Sequence, residues 1–152
     1  MRRHLIAGMG LLAVGALIFA GMDATGAIAG SAHDFSTGQS WNTTNDELCQ
    51  PCHTPHNADT SVTDAPLWNH EVTTATFTVY SSATMNATPG QPSGLSALCL
   101  SCHDGTVALD SFGGATGSTP LTSSSSAVVD VDLRNDHPVS VSMTTAISNG
   151  DT

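Results

Sequence analysis

Three kinds of apolar pattern divide the chain. Met1-Arg2-Arg3 precedes an almost continuous apolar run from Leu5 to Met22, and the small residues Ala27-Ile28-Ala29 follow it. That order of charged, apolar and small-residue regions predicts a secretory signal peptide over residues 1–29 and a mature chain beginning near Gly30. An uncleaved anchor is the alternative, because the run is only marginally long enough to span a bilayer. The second pattern has period two. From Glu71 to Tyr80, Ala75, Phe77 and Val79 alternate with Thr74, Thr76 and Thr78, which predicts a half-buried strand. Val129, Val131 and Leu133 alternate with Asp130 and Asp132, and Val139, Val141 and Met143 alternate with serines, which predicts two further short strands around Arg134 to Pro138.

The third pattern is helical and short. Thr44 or Asn45 is placed to cap a helix that carries Asp46 and Glu47 in its first turn and runs through Leu48 to Cys49, with Pro51 limiting its regularity. Ser93 is placed to cap a second helix, in which Leu95, Leu98 and the pair Cys99/Cys102 share a face. Gly30 to Gln39 reads as an extended arm. Ala58 to Asn69, Ser81 to Pro92 and the Gly/Ser/Thr-rich stretch from Gly105 to Ser126 read as loops, and nothing after Ser142 signals structure. The expected fold is a small, mostly irregular domain over residues 30–152 with a few short helices and strands.

Composition makes such a domain hard to stabilise by its side chains alone. Aromatics are 5% of the chain and Ser with Thr about a quarter, so little apolar surface is available to bury. Charge narrows the partners. The formal charge is −10 with His neutral, and beyond residue 29 Arg134 is the only Lys or Arg against a dozen carboxylates. Nucleic acid is excluded as a partner, since binding it requires phosphate neutralisation. An anionic membrane surface is disfavoured for the same reason, which leaves an uncleaved signal as the only membrane link.

The chemistry lies in a doubled motif. Cys49-Gln50-Pro51-Cys52-His53 and Cys99-Leu100-Ser101-Cys102-His103 are two copies of C-x-x-C-H, and they use every cysteine in the chain. Each copy offers two thiols one helical turn apart, suited to thioether bonds with porphyrin vinyl groups, and an adjacent imidazole for the iron. The cofactor this implies is haem c, two per chain, with His53 and His103 as the proximal ligands. The haems would then form most of the core. A Cys₄ zinc site is the rival, but its Cys pairs lie closer together and it does not call for the trailing His. A disulfide framework is the other alternative. Calcium at Asp130, Asp132 and Asp136 lacks the EF-hand spacing and glycine, so those side chains read as solvated turn carboxylates.

An electron-transfer iron is usually held from both sides. Four histidines remain for the two distal positions, His33, His56, His70 and His137, with Met85 and Met143 as thioether alternatives. The spare imidazoles favour bis-His ligation and a low potential. His56, three residues after His53, cannot readily reach the far side of the same iron, so its natural target is another haem. Four candidates for two positions is a surplus.

Several blocks carry a resemblance: Ser31-Ala32-His33-Asp34, Cys49 through Asn57, Pro66-Leu67-Trp68-Asn69-His70-Glu71, Leu98 through Thr106, and Asn135-Asp136-His137-Pro138-Val139. Together they resemble the secreted multihaem cytochromes c of metal-reducing bacteria. The resemblance implies closely stacked bis-His haems of low potential that pass electrons without transforming a substrate. It also implies that His33, His56, His70 and His137 stand at ligand-type positions. In filament-forming members the second His of C-x-x-C-H-x-x-H can ligate a neighbour's haem, which makes His56 the candidate bridge. Relatives often continue with two further C-x-x-C-H motifs, so the chain is expected to be a fragment of a tetrahaem protein or a dihaem subunit completed by its neighbours.

The reading is of an exported protein, periplasmic or extracellular, that relays single electrons between redox partner proteins, other cytochromes or copies of itself, and has no catalytic residue. The alternatives are a subunit of a polymeric filament and a small haem reductase or peroxidase with one open iron.

Overall fold

The computed structural model describes residues 27–36, 38–42, 47–63, 65–148 and 150. The chain divides into two units, residues 1–33 and 34–152. In the first, the described residues form turns, with the Ser31 amide donating to Ile28 O at 3.0 Å. Most of the predicted signal segment lies outside the described residues, and among those that are described no helix is long and apolar enough to cross a membrane.

The second unit is largely irregular. Its longest regular element is α1 (Leu95–His103). Leu133–Asn135 makes one 3₁₀ turn, capped by the Asp132 carboxylate, and α2 spans Met143–Ser148. The helix α2 differs from the expectation of an unstructured tail. The start of α1 differs too: Gly94 at φ 54° holds the N-cap and no side chain caps it, so Ser93 does not play that part. Residues 43–46, where the first helix was expected to begin, lie outside the described residues. At the first motif the described chain makes one helical turn, in which the His53 amide donates to Cys49 O at 2.8 Å and Pro51 is fully buried.

Of the expected strands, 71–80 is extended chain without a ladder; the two later ones are broken by Asp130 at φ 69° and Ser140 at φ 56°, with Leu133 in the 3₁₀ turn and Met143 at the start of α2. Among the described residues β pairing is confined to isolated bridges, including Thr78 with Asp132 and His70 with Phe112. The alternation from 74 to 79 still sorts the side chains, with Phe77 buried, Ala75 and Val79 half-buried, and Thr74, Thr76 and Thr78 exposed. What replaces the ladder is side-chain hydrogen bonding, the competition that Ser, Thr and amide groups offer to backbone pairing. Gln91 receives the Phe77 amide on Oε1 at 2.8 Å and donates from Nε2 to Phe77 O at 2.9 Å, acting as a one-residue strand. Thr73 donates its amide to Ser101 Oγ at 2.9 Å, which fastens the extended segment to α1.

The core is small. Phe77, Leu100 and Leu133 form its buried centre, with Ala75, Val79, Val129, Val131 and Val139 packed around it. It lies behind α1, which turns Leu100 and Ser101 inward. Cys99 and Cys102, one turn apart, share another side of the helix with neighbouring His103, and Cys99 is exposed.

Candidate functional site

The two motifs are separated by about fifty residues of sequence, and the fold brings them together. Burial is the main reason the Cys52 thiol titrates above its ordinary range, but the charges of Cys49 and of Cys99, from the other motif, push it the same way. Burial likewise pushes Cys102 up to about 12, helped by Cys52, Asp104 and Cys99. All four cysteines are free of disulfides, and at neutral pH Cys52 and Cys102 stand as protonated thiols.

His70 is built into this junction. It is 3% exposed, and its Nε2 lies 3.6 Å from Cys102 Sγ. Its Nδ1 lies 2.8 Å from Glu71 O. A carbonyl only accepts, so Nδ1 carries a proton, and in a neutral ring the lone pair then falls on Nε2. The same arrangement recurs at His53 with Pro66 O at 2.9 Å, at His103 with Ala127 O at 2.6 Å, and at His137 with Pro138 O at 3.1 Å. Fixing the tautomer from behind in this way makes Nε2 the nitrogen that a metal would use.

Trp68 links the two histidine sites. Its indole stands edge-on to His53, with centroids 6.2 Å apart and planes at 89°, and to His70, at 6.5 Å and 62°. Trp68 also bridges to His53 and Asp59 through its backbone. Asn69 closes the junction by donating from Nδ2 to Gln50 O at 2.6 Å and from its amide to Cys52 O at 3.0 Å. The turn before it is strained. Leu67 adopts φ 55°, in the left-handed region that disfavours a bulky side chain, and this places Pro66 O on the His53 ring and Leu67 O on the Thr54 amide.

Sequence reasoning passed over Trp68 as a structural link. The signal was its spacing, two residues before His70 in an extended segment and therefore on the same side.

Behind the second motif Asp104 forms a clamp. It is 3% exposed, accepting on Oδ2 from Thr73 Oγ1 at 2.6 Å and on Oδ1 from the Thr106 amide at 2.7 Å and hydroxyl at 2.8 Å. Asp132, read from sequence as a solvated turn carboxylate, is at the surface and is paired there with Arg134. The guanidinium donates from Nε at 2.8 Å and Nη2 at 2.5 Å, and these bonds hold the Asp132 carboxyl down to about 2.

The other candidates lie elsewhere. His137 lines a cavity of about 690 Å³ with Tyr80, Met85, Ala87, Pro138 and Val141, and no residue of either motif lines it. His56 is exposed beside the first motif, its carbonyl taking the Thr54 hydroxyl at 2.9 Å. His33 belongs to the first unit and is exposed. Met143 is 71% exposed at the start of α2.

The residues fit a covalently held haem at each motif. Four unbridged thiols stand in two pairs, each beside an imidazole whose Nε2 lone pair is set. Large apolar side chains also stand uncovered there: Leu95, 63% exposed and one turn before Cys99, and Leu67, 53% exposed in the turn that supports His53. Among the described residues no group of three or more His, Cys, Asp or Glu side chains is arranged to hold a bare metal ion. Comparison with models of known protein families found no match, and comparison with curated proteins found none either.

Proposed function

We propose that the chain is an exported dihaem cytochrome c that relays single electrons and belongs with the secreted multihaem cytochromes it resembles. The observation that carries this reading is the meeting of the two C-x-x-C-H motifs, with His70 Nε2 at 3.6 Å from Cys102 Sγ and Trp68 in ring contact with both His53 and His70. When bound, each haem supplies a one-electron Fe(III)/Fe(II) couple. The chain's own residues do the rest. Cys49 and Cys52 hold one group and Cys99 and Cys102 the other, while His53 and His103 offer Nε2 from rings oriented by Pro66 O and Ala127 O. His70 is the distal ligand closest to hand, and His33, His56 and His137 are the remaining candidates. The partners are redox proteins or other cytochromes.

A second reading, a subunit of a cytochrome polymer, is favoured by one observation. The His137 ring is exposed on a cavity lined by neither motif, where a neighbouring chain could use it.

The test is haem stoichiometry with spin state, measured by pyridine haemochrome assay and EPR after maturation by a c-type haem assembly system. Two haems per chain, low-spin at every protein concentration, is the result expected of a self-contained carrier. One haem turning high-spin on dilution moves the reading to the polymer. Covalent haem that is high-spin throughout moves it to an enzyme, and absence of covalent haem ends it.

A further inference from the structure

Among the described residues Asp104 is the only carboxylate residue buried as a whole, and its position carries electrostatic penalties that its hydrogen bonds must offset. It is the C-cap of α1, where the helix dipole is negative and a carboxylate is disfavoured. Burial adds a further cost for a charged group. An asparagine at this position would keep one acceptor oxygen without either penalty. Every side-chain contact the carboxylate makes is with a donor: Thr73 Oγ1, the Thr106 amide and the Thr106 hydroxyl. Contacts of 2.6–2.8 Å hold both of its oxygens in position, and it directly follows His103.

Among the described residues the first motif has no equivalent. Thr54 follows His53, and the described carboxylates nearest that motif in the chain lie nearer water, with Glu47 exposed and Asp59 only half-buried. A fixed negative charge favours the oxidised, more positive iron, and it acts most strongly where water does not screen it.

Building on the dihaem reading, we infer that Asp104 is a redox-tuning residue, which sets the haem at Cys99/Cys102 below the haem at Cys49/Cys52 in potential. An electron shared by the pair then rests on the first haem, and the second is the more reducing.

The test is a spectroelectrochemical titration of the haem-loaded protein, resolving both potentials. Asp104→Asn is expected to raise one potential and leave the other nearly unchanged. The oxidised-to-reduced ratio of the affected haem should fall threefold to tenfold at fixed ambient potential, about 30–60 mV at 59 mV per tenfold for a one-electron couple. Thr73→Val keeps the carboxylate but removes a donor that offsets its charge, so it is expected to lower the same potential. A merely structural role would move both variants in the same direction. Should Asp104→Asn fail to mature, Thr106→Val carries the test in the same sense as Thr73→Val. Potentials unmoved by the variants, or moved together, overturn the inference while the dihaem reading stands. A parent chain without covalent haem removes both.

Discussion

At the scale of single residues, the informative contrast is within each Cys pair. Cys49 and Cys99 are exposed, whereas Cys52 and Cys102 are half-buried with their thiols pushed upward. The thiolate is the reactive form, so in the cofactor-free chain iodoacetamide should label Cys49 and Cys99 well before Cys52 and Cys102. Peptide mass spectrometry over a time course checks this, and equal labelling of all four would contradict the burial described. The same shift couples to folding. Cys102 moves from an ordinary 9.0 to about 12, so above pH 9 the unfolded chain has lost a proton that the folded chain keeps. Stability of the cofactor-free chain is therefore fully present below about pH 9 and declines toward about pH 12, and Cys102→Ser should flatten that decline in urea melts at a series of pH values. In the loaded protein, His70→Gly should turn one haem high-spin by EPR, with added imidazole restoring the low-spin signal. A low-spin pair unaffected by the change would remove His70 from the ligand set.

At the scale of elements, side chains stand in for missing strands. Gln91 makes both hydrogen bonds that a neighbouring strand would give Phe77. Gln91→Ala should therefore cost about 1–3 kcal/mol, since it strips partners from part-buried backbone groups beside the core, with urea unfolding as the measurement. A change within a few tenths would mean that water replaces the amide. The period-two pattern from 74 to 79 announced which residues face inward, but not that a glutamine fourteen residues on would replace a ladder. Such partners depend on tertiary approach, which periodicity does not encode. The helical placement of Cys99, Cys102 and His103 was legible because the three residues are neighbours in sequence and follow a helical apolar pattern. The clamp of Thr73, Ser101, Asp104 and Thr106 was not, because it spans about thirty residues and Ser and Thr pair with whatever the fold brings near. Gly94 repeats the lesson at the helix start: Ser93 has the usual capping chemistry, yet the chain enters α1 through a positive φ that only glycine adopts without strain.

For the whole molecule, the small core of Phe77, Leu100 and Leu133 has to hold an irregular chain of few regular elements. If the cofactor supplies the missing apolar contacts, removing one haem should weaken the whole domain rather than one corner of it. Cys99→Ala with Cys102→Ala is expected to leave one haem per chain and to lower the unfolding midpoint by more than either cysteine change does in the cofactor-free protein, as read by thermal melts followed in the Soret band and by circular dichroism. An unchanged midpoint would mean that the protein core suffices. Charge acts at this scale too. Arg134, the sole Lys or Arg beyond residue 29, is paired with Asp132, so residues 30–152 carry a strongly negative balance. On the proposed function, electron transfer to a basic partner should slow as salt rises.

The hydrogen bonds behind the imidazoles of His53, His70, His103 and His137 all end on main-chain oxygens: Pro66 O, Glu71 O, Ala127 O and Pro138 O. Every amino acid carries that oxygen, so no replacement of the acceptor residue's side chain deletes it. The choice of tautomer is thereby insulated from point mutation. Side chains at 66, 71, 127 and 138 are free to drift so long as the local backbone path is kept, and the ring nitrogen held by the main chain is inherited with the fold.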